Sequence, residues 1–341
     1  MSDSKKEAFK RVLAHEAVMP VPYSIKFTVE SREKYVSYLG KPFDEVDDLG
    51  SYVVASHTNG GWTEVKPGFF RDYFGVVWNK TVDKTLGIVS EYRFREPSFG
   101  DYRFPDAADL PVYATIRRNN GRYPEVFHMF SIGFALFERA WSLTGMEELM
   151  VWMLTEPAFI HELLDRITTY NIALINAAAD IGGLDCVHLG DDWGSQHGPL
   201  ISPETWREFI KPRFKKTCDA IKARGLSVSL HCCGNVEVLM PEIVECGVDV
   251  FDPFQPEAMD IWKLHRDFGD RIAFWGGLSV QSTFPCGTEE DIREEGERLI
   301  REMGRKGGYV LAPSHALTGD IPPQNISAFI DLARMQPGRH E

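Results

Sequence analysis

The stretch SVSLHCCGNVEVLMPEIVECGVDVFD, residues 227–252, decides the fold. A short apolar run, Ser227–Leu230, is followed by a polar turn and by a helical stretch that starts at about Val236. A second apolar run, Val248–Phe251, comes next. Two short apolar runs joined by an amphipathic helix predict parallel strands connected by a crossover helix.

The same unit recurs on both sides of this stretch. Three more apolar runs, each followed by a helical stretch, lie at Cys186–Leu189, Arg271–Phe274 and Gly308–Leu311. Caps, acids and prolines mark the helix starts, as in Ser202-Pro203-Glu204 and Thr288-Glu289-Glu290. Consecutive units of this kind require a sheet of parallel strands covered by helices.

The first half of the chain is less regular, but it supplies the missing strands. Runs at Val21–Phe27, Tyr52–Ala55 and Val126–Phe130 bring the predicted strands to eight, the number of an α/β barrel. Phe69–Lys80 and Ile88–Phe94 predict an antiparallel excursion. A doubly wound sheet is the alternative, but no Gly-rich phosphate loop follows any predicted strand. The sequence therefore predicts an α/β protein, a TIM-type (β/α)8 barrel with an irregular N-terminal excursion.

Composition and charge narrow the class of protein. The formal net charge of −13 disfavours nucleic acids and anionic membranes as partners, because both are anionic and bind basic patches. No linker and no internal repeat interrupts the chain, so one barrel domain over residues 1–341 is expected. The polar N-terminus lacks the apolar core of a signal peptide, and no apolar run reaches about 18 residues. A cytoplasmic enzyme with reduced cysteines is therefore expected.

Polar and soft side chains follow the predicted strands at the end where barrel enzymes build their active sites. Because side chains alternate along an extended strand, His231 and Cys233 point one way and Cys232 the other. An imidazole and a thiolate on one face suit Zn²⁺, which accepts mixed nitrogen and sulfur ligands. His315, after the last strand, is the candidate third ligand, with Asp192 or Cys232 as alternatives. A polar cluster without a metal is the other interpretation.

Further candidates lie at the same strand ends. Asp192 is expected to position the substrate or to accept a proton. His188, inside its strand, is either a second catalytic residue or a core histidine. His57 and His128 end strands of the first half and are weaker candidates for the lining of the site. The candidates for substrate contact are Trp193, Asp252, Trp275 and Gly276.

Four segments of the second half occur in an order that belongs to a known family. They read GDDWGSQHGPLISPETWREFIKP, HCCGNVEVLMPEIVECGVDVFD, WGGLSV and GGYVLAPSHALTGDIPPQNI. From Val187 onward the chain resembles the uroporphyrinogen decarboxylase superfamily. This resemblance implies an α/β barrel with the active site at the C-terminal rim, in agreement with the strand pattern.

The resemblance points to one of two branches. True decarboxylases hold substrate carboxylates with an N-terminal arginine-rich motif, and the corresponding stretch here, Val21–Phe27, has no arginine. Corrinoid-dependent methyltransferases bind zinc through a His-x-Cys motif and a distant cysteine. His231-Cys232-Cys233 matches the motif, but the distant cysteine falls near Ser314-His315, where this chain has none. The sequence is therefore closer to the methyltransferase branch, with a departure at the third ligand.

The function implied by this resemblance is zinc-assisted transfer of a methyl group. The methyl group would move between a small substrate and either a corrinoid on a partner protein or a pterin. Two alternatives stay open: a metal-free, decarboxylase-like lyase for a small carboxylate or a tetrapyrrole, and a non-catalytic protein that binds a corrinoid or a tetrapyrrole. The oligomeric state is also open, with a homodimer as the candidate.

Overall fold

The structure is a computed structural model that describes residues 3–108 and 110–336. In chain order the strands are β1 (Val53–His57), β2 (Thr63–Lys66), β3 (Phe69–Arg71), β4 (Val77–Asn79), β5 (Ile88–Glu91), β6 (Phe127–Ile132), β7 (Cys186–Gly190), β8 (Ser227–His231), β9 (Val250–Phe254), β10 (Ala273–Leu278) and β11 (Tyr309–Pro313). The helices are α1 (Lys5–Leu13), α2 (Val29–Leu39), α3 (Val112–Arg122), α4 (Phe137–Thr144), α5 (Met146–Thr155), α6 (Pro157–Ile181), α7 (Pro203–Thr205), α8 (Lys211–Ala223), α9 (Met240–Glu245), α10 (Ile261–Phe268), α11 (Thr283–Cys286), α12 (Glu289–Glu302) and α13 (Pro323–Arg334). Within these described residues, every helix is too short or too polar to span a lipid bilayer.

Seven strands form one curled parallel sheet. Their spatial order, β1-β6-β7-β8-β9-β10-β11, is also their order along the chain. Each neighbouring pair is parallel, and helices connect the strands, as the sequence predicts. β6, β7, β9, β10 and β11 are buried along their whole length, and β8 is buried except at its two end residues, because helices cover the outer face and side chains fill the interior. The predicted α/β-barrel architecture is confirmed.

The predicted eighth strand, Val21–Phe27, is an extended segment rather than a regular strand. On one side it pairs with β11, where Tyr23 lies beside Leu311. On the other side, the Tyr52 N–H donates to the Tyr23 carbonyl at 2.9 Å. Pro22 has no N–H, and its carbonyl faces β11, so the ladder on the β11 side is also incomplete. The segment closes the ring of strands, but one side of it is only loosely attached.

The predicted excursion forms a separate antiparallel sheet, β2-β3-β4-β5. A buried ion pair attaches this sheet to the barrel. Arg139, on the first turn of α4, places Nη1 at 2.7 Å from Asp72 Oδ2, which also accepts a hydrogen bond from Trp78 Nε1 at 3.2 Å. The excursion is thereby fixed beside the C-terminal end of β6.

Two strands extend further than the sequence pattern predicts. β9 continues past Phe251, because the Asp252 carbonyl accepts the Cys232 N–H at 2.8 Å and prolongs the pairing with β8. β10 likewise continues through Trp275 and Gly276. Three of the predicted site residues therefore stand on the sheet itself rather than in the loops that follow it. The helix expected from about Pro256 begins later, at the start of α10.

Candidate metal centre

Three of the predicted ligands meet at the C-terminal rim of the barrel. His231 ends β8, Cys233 lies two residues beyond it, and His315 follows β11. One ligand atom of each side chain lies within 4.8 Å of the others, and His231 Nε2 is 3.3 Å from Cys233 Sγ. Two ligands at a tetrahedral angle on zinc stand about 3.5 Å apart. The cluster therefore fits a tetrahedral ion after small side-chain movements.

The two cysteines of the turn have different surroundings. Cys232 is fully buried, and its Sγ accepts the Trp193 N–H at 3.2 Å. Cys233 is partly exposed, and its Sγ faces His231. Burial, reinforced by the nearby charge of Asp192, raises the pKa of the Cys233 thiol above its usual range. Without a cation beside it, Cys233 is therefore a thiol at neutral pH rather than a thiolate.

A buried carboxylate orients His231. Asp252 Oδ2 lies 3.1 Å from His231 Nδ1, 2.9 Å from Lys26 Nζ and 3.6 Å from His188 Nε2. Burial alone would raise the pKa of Asp252, but the Lys26 ammonium and His231 outweigh it and hold this pKa well below its usual range. The ionised carboxylate of Asp252 accepts a hydrogen bond from the N–H at His231 Nδ1. The lone pair on Nε2 is therefore directed toward Cys233.

His188 lies deeper in the barrel, with its ring centroid 5.8 Å from that of His231. Its Nδ1 is 2.8 Å from Ser229 Oγ. Burial, together with the charge of Lys26, lowers the pKa of His188 well below its usual value, so the ring is neutral at pH 7. His188, His231 and Asp252 form a second group of mutually close ligand atoms. Since His188 and Asp252 are buried and already paired, the cluster at the rim is the more accessible metal site.

Two carboxyl groups close the other side of the cluster. Asp192 Oδ1 accepts the Cys233 N–H at 2.7 Å and lies 3.9 Å from His231 Nε2. Sequence reasoning missed Glu138, on the first turn of α4, whose buried carboxyl lies close enough to Asp192 to be affected by its charge. Burial, and then the charges of Asp192 and Asp191, raise the pKa of Glu138 well above its usual range. The position of Glu138 just beyond the end of β6 is the one sequence signal that could have identified it.

Asp191 has a structural role beside this cluster. Its carboxylate accepts the N–H groups of Leu136, Phe137 and Glu138, at the start of α4, and the indole N–H of Trp193 at 2.6 Å. Burial raises the pKa of Asp191 to about 6 despite these four donors. Of the adjacent aspartates, Asp192 faces the predicted ligands and Asp191 ties α4 to the end of β7.

Two of the predicted substrate-contacting residues are placed for packing. Trp193 is fully buried, and its ring packs against Trp206 and Phe214 rather than beside the cluster. Gly276 has a φ of 127°, and a Cβ there would lie 2.8 Å from the Phe254 nitrogen. Glycine at position 276 therefore allows β9 and β10 to approach each other closely.

Two cavities adjoin the cluster. One, of about 60 Å³, lies beside His231 and His315. The other, of about 280 Å³, lies between the loosely attached segment and β1. The two cavities share Ser24, Lys26 and Trp275 as lining residues, so they meet at these side chains. A wider groove of about 840 Å³ runs between α10 and α12, outside the barrel, and touches none of the predicted ligands.

The histidines of the first half are separated by the structure. His57 lines the cavity of about 280 Å³ beside β1, and its side chain is exposed. His128 is buried, and its Nε2 lies 2.8 Å from the Tyr123 carbonyl, away from both cavities. Of these two candidates, only His57 is brought near the site.

Comparison with known proteins agrees with the resemblance seen in the sequence. Residues 98–336 match the uroporphyrinogen decarboxylase (URO-D) family. The chain belongs to this family. It is 26% identical over 242 residues to a methylated-thiol–coenzyme M methyltransferase of Methanosarcina mazei, a match that covers 70% of this chain and 62% of that protein. It is 23% identical over 192 residues to a uroporphyrinogen decarboxylase of Chlorobaculum tepidum, covering 55% and 52% respectively.

The fold is also shared with a solved structure. A methyltransferase from Methanosarcina mazei superimposes with a TM-score of 0.76 at 20% sequence identity, covering 98% of this chain and 99% of that one. The family and the barrel fold predicted from the sequence are therefore confirmed. The matched regions span between about half and two thirds of the curated relatives' lengths.

Proposed function

We propose that this protein is a zinc-assisted methyltransferase. It would transfer a methyl group between a small substrate and a corrinoid carried by a partner protein, with a pterin as the alternative carrier. The observation that carries the proposal is the convergence of His231, Cys233 and His315 at the barrel rim. The similarity to a methylated-thiol–coenzyme M methyltransferase supports methyl transfer as the reaction class.

The three side chains would hold the ion and leave one position for the substrate. Bound there, zinc supplies Lewis acidity that polarises the substrate heteroatom to which the methyl group is attached or transferred. His315 stands where the resemblance implies a cysteine, so the donor set holds one thiolate and two neutral imidazoles. Fewer thiolates leave less negative charge on the donor set, which favours an oxygen- or nitrogen-bound methyl group over a thiol.

The remaining groups of the site would orient and exchange protons. Asp252 fixes the ring of His231 through the bond to Nδ1. Asp192, 3.9 Å from His231 Nε2 and partly exposed, is close enough to accept a proton from a substrate in the open position. Glu138, whose buried carboxyl lies near Asp192 and whose pKa is raised by burial and by that charge, would hold a proton beside this base.

Metal analysis tests the proposal directly. Protein produced with ample zinc should contain about one equivalent, and Cys233→Ser or His315→Ala should lose most of it. Cys232→Ser is the matched control, because this neighbouring thiol faces the Trp193 N–H and should leave the zinc content unchanged. A zinc content of less than about 0.2 equivalents in the unsubstituted protein would contradict the metal site.

Activity is measured with methylcobalamin as the probe. Its demethylation is followed by absorbance in the presence of small phenols, alcohols, amines and thiols. The proposal expects turnover with at least one oxygen or nitrogen acceptor, and it expects that turnover to disappear with zinc in Cys233→Ser.

The alternative is a metal-free lyase, favoured by the similarity to uroporphyrinogen decarboxylases. In that case Asp192 and His315 would transfer protons, and turnover would survive in Cys233→Ser. The structure argues against it at one point. Lys26, the one cation of the segment Val21–Phe27, is already paired with Asp252 at 2.9 Å and is not free to hold a substrate carboxylate.

A further inference from the structure

A gap in the barrel wall, here called the slot, separates residues 24–27 from β1. Within residues 3–108 and 110–336, no backbone hydrogen bond joins residues 24–27 to β1, and the Tyr52–Tyr23 bond lies just before the gap begins. Every other pair of neighbouring strands in the sheet is held by several. The cavity of about 280 Å³ fills the gap, from Trp275 in the barrel interior to Asp44 outside the wall.

The slot reaches the candidate metal centre. Its inner end is formed by Ser24, Lys26 and Trp275, which also line the small cavity beside His231. These side chains hold one another, because the indole N–H of Trp275 donates to Ser24 Oγ at 2.8 Å and Lys26 Nζ lies 4.7 Å from the centre of the indole ring. A molecule in the slot would therefore lie one side chain away from the ligand cluster.

The charged groups of the slot are compensated by partners. At the inner end, Lys26 is paired with Asp252. At the outer end, Asp44 and Glu45 are each paired with an arginine. An ionic ligand would have to displace these partners or remain unpaired in a narrow cavity, which is costly. The slot is thus suited to an uncharged molecule.

Between the two ends, the apolar side chains of Ile25, Val53, Ala55 and Met129 line the slot together with polar groups such as Ser51. The His57 ring also lines it, and the part of the chain that the structure describes offers this ring no hydrogen-bond partner. A ligand with one hydroxyl, ether or carbonyl oxygen could therefore bury its apolar body and bind to His57.

We propose that the slot binds the small substrate of the methyl transfer, which enters from the side of the barrel. This substrate is uncharged and has an apolar part, one oxygen that binds His57, and a second heteroatom, the methyl donor or acceptor, at the inner end beside Ser24, Lys26 and Trp275. The volume of the slot equals that of about nine water molecules at roughly 30 Å³ each, enough for a substituted benzene ring. Side entry leaves the barrel rim free for a partner that carries the second reactant. The identity of the reaction rests on the proposed function, whereas binding in the slot does not.

Fluorine NMR titration with 4-fluorophenol tests this binding on the full-length protein without added metal. The probe is neutral at pH 7 and should bind saturably. Ala55→Phe fills the slot and should weaken binding by at least about tenfold, since the added ring occupies the volume of the probe. Ala55→Leu, with a smaller intrusion, should give an intermediate loss and serves if the larger substitution impairs folding.

The matched control is Ala173→Phe. Ala173 is exposed on α6 and lines a surface groove on another side of the molecule. The same substitution there should leave the affinity for 4-fluorophenol unchanged. Loss of binding in Ala173→Phe with unchanged binding in Ala55→Phe would place the probe in that groove and overturn the proposal.

A second pair of probes tests the polar contact. His57→Leu should weaken 4-fluorophenol binding by about fivefold, the value of one neutral hydrogen bond. It should not weaken binding of 4-fluorotoluene, which has no hydroxyl group. Equal losses for both probes, or tighter binding of the anion 4-fluorobenzoate than of 4-fluorophenol, would overturn the assignment of an uncharged oxygen ligand.

The two proposals fail separately. One outcome is saturable probe binding that Ala55→Phe abolishes, in a protein that does not retain zinc. This outcome would support the slot and refute the zinc-dependent methyl transfer. Full zinc content, together with probe binding that Ala55→Phe leaves unchanged, would support the zinc site and overturn the slot. If both hold, Ala55→Phe should lower kcat/KM for the small substrate at least about tenfold while the zinc content stays the same.

Discussion

Replacement of Asp252 by asparagine tests how the metal centre is oriented. In the structure, Asp252 Oδ2 accepts a hydrogen bond from His231 Nδ1 at 3.1 Å and another from the Lys26 ammonium at 2.9 Å. Asparagine has nearly the same shape but removes the charge that strengthens both bonds. Loss of such a carboxylate partner lowers metal affinity by about 10- to 100-fold, or about 1.4 to 2.7 kcal/mol.

Folding stability should fall less than metal affinity. Leaving a buried polar group without its partner costs about 1 to 3 kcal/mol. The side chain of Lys26 is 34% exposed and keeps contact with water, so the loss should be near the lower end of that range, about 1 kcal/mol. Asp252→Asn should therefore remain folded at room temperature and be suitable for a binding measurement.

The assay is competition for zinc with a chromophoric chelator of known affinity at pH 7.5. The control is Asp249→Asn, the same substitution three residues earlier, where the carboxylate pairs with Lys222 outside the site. This control should bind zinc as tightly as the unsubstituted protein. A folded Asp252→Asn with zinc affinity within about a factor of two of the unsubstituted protein would refute the orienting role of Asp252.

Three further substitutions probe the scaffold around the site. Gly234 has a φ of 80°, and a Cβ there would lie 2.5 Å from the backbone carbon of Gly194. Gly234→Ala should therefore lower the free energy of unfolding, measured in urea, by about 2 to 4 kcal/mol. Gly198→Ala is the control and should leave the free energy of unfolding unchanged, because the space around Gly198 is open. Burial raises the pKa of Asp191 to about 6 from 3.8, so folding holds this proton more tightly and stability should decline as the pH rises from about 4 to 6. In Asp191→Asn the loss of stability between pH 4 and pH 7, measured by urea unfolding, should be smaller by up to about 3 kcal/mol. The same loss in Asp191→Asn as in the unsubstituted protein would contradict this prediction. Arg139→Met leaves its buried carboxylate partner unpaired and should cost about 3 to 5 kcal/mol in thermal unfolding, with a loss below about 1 kcal/mol as the contrary result.

Strand alternation is the part of the site that the sequence predicts best. Side chains two residues apart on an extended chain share a face, and this rule separates His231 and Cys233 from Cys232 without any structure. The parallel arrangement then brings His315 to the same rim, because all parallel strands of a barrel end on one side. Local geometry and topology together were sufficient for these residues.

Contacts between distant segments were not predictable in the same way. Lys26 and Asp252 are 226 positions apart, and their pairing depends on how the first extended segment closes the ring of strands. Glu138 reaches the site through the connection from β6 to α4, which carries no motif. Trp193 is predicted to contact the substrate, and the structure adds that its ring packs against Trp206 and Phe214, a contact that no local sequence pattern indicates.

The loosely attached segment also affects how the barrel deforms. Backbone hydrogen bonds contribute about 0.5 to 1.5 kcal/mol each, and a cylinder of strands dilates most easily along the seam with the fewest of them. Widening the seam between residues 24–27 and β1 breaks at most the Tyr52–Tyr23 bond beside it, whereas separating two strands of the seven-stranded sheet breaks a whole ladder. Amide protons along this seam should exchange with solvent faster than those of β7 or β8. β8, which carries His231 and leads to Cys233, lies on the far side of the barrel and can therefore stay rigid while this seam widens.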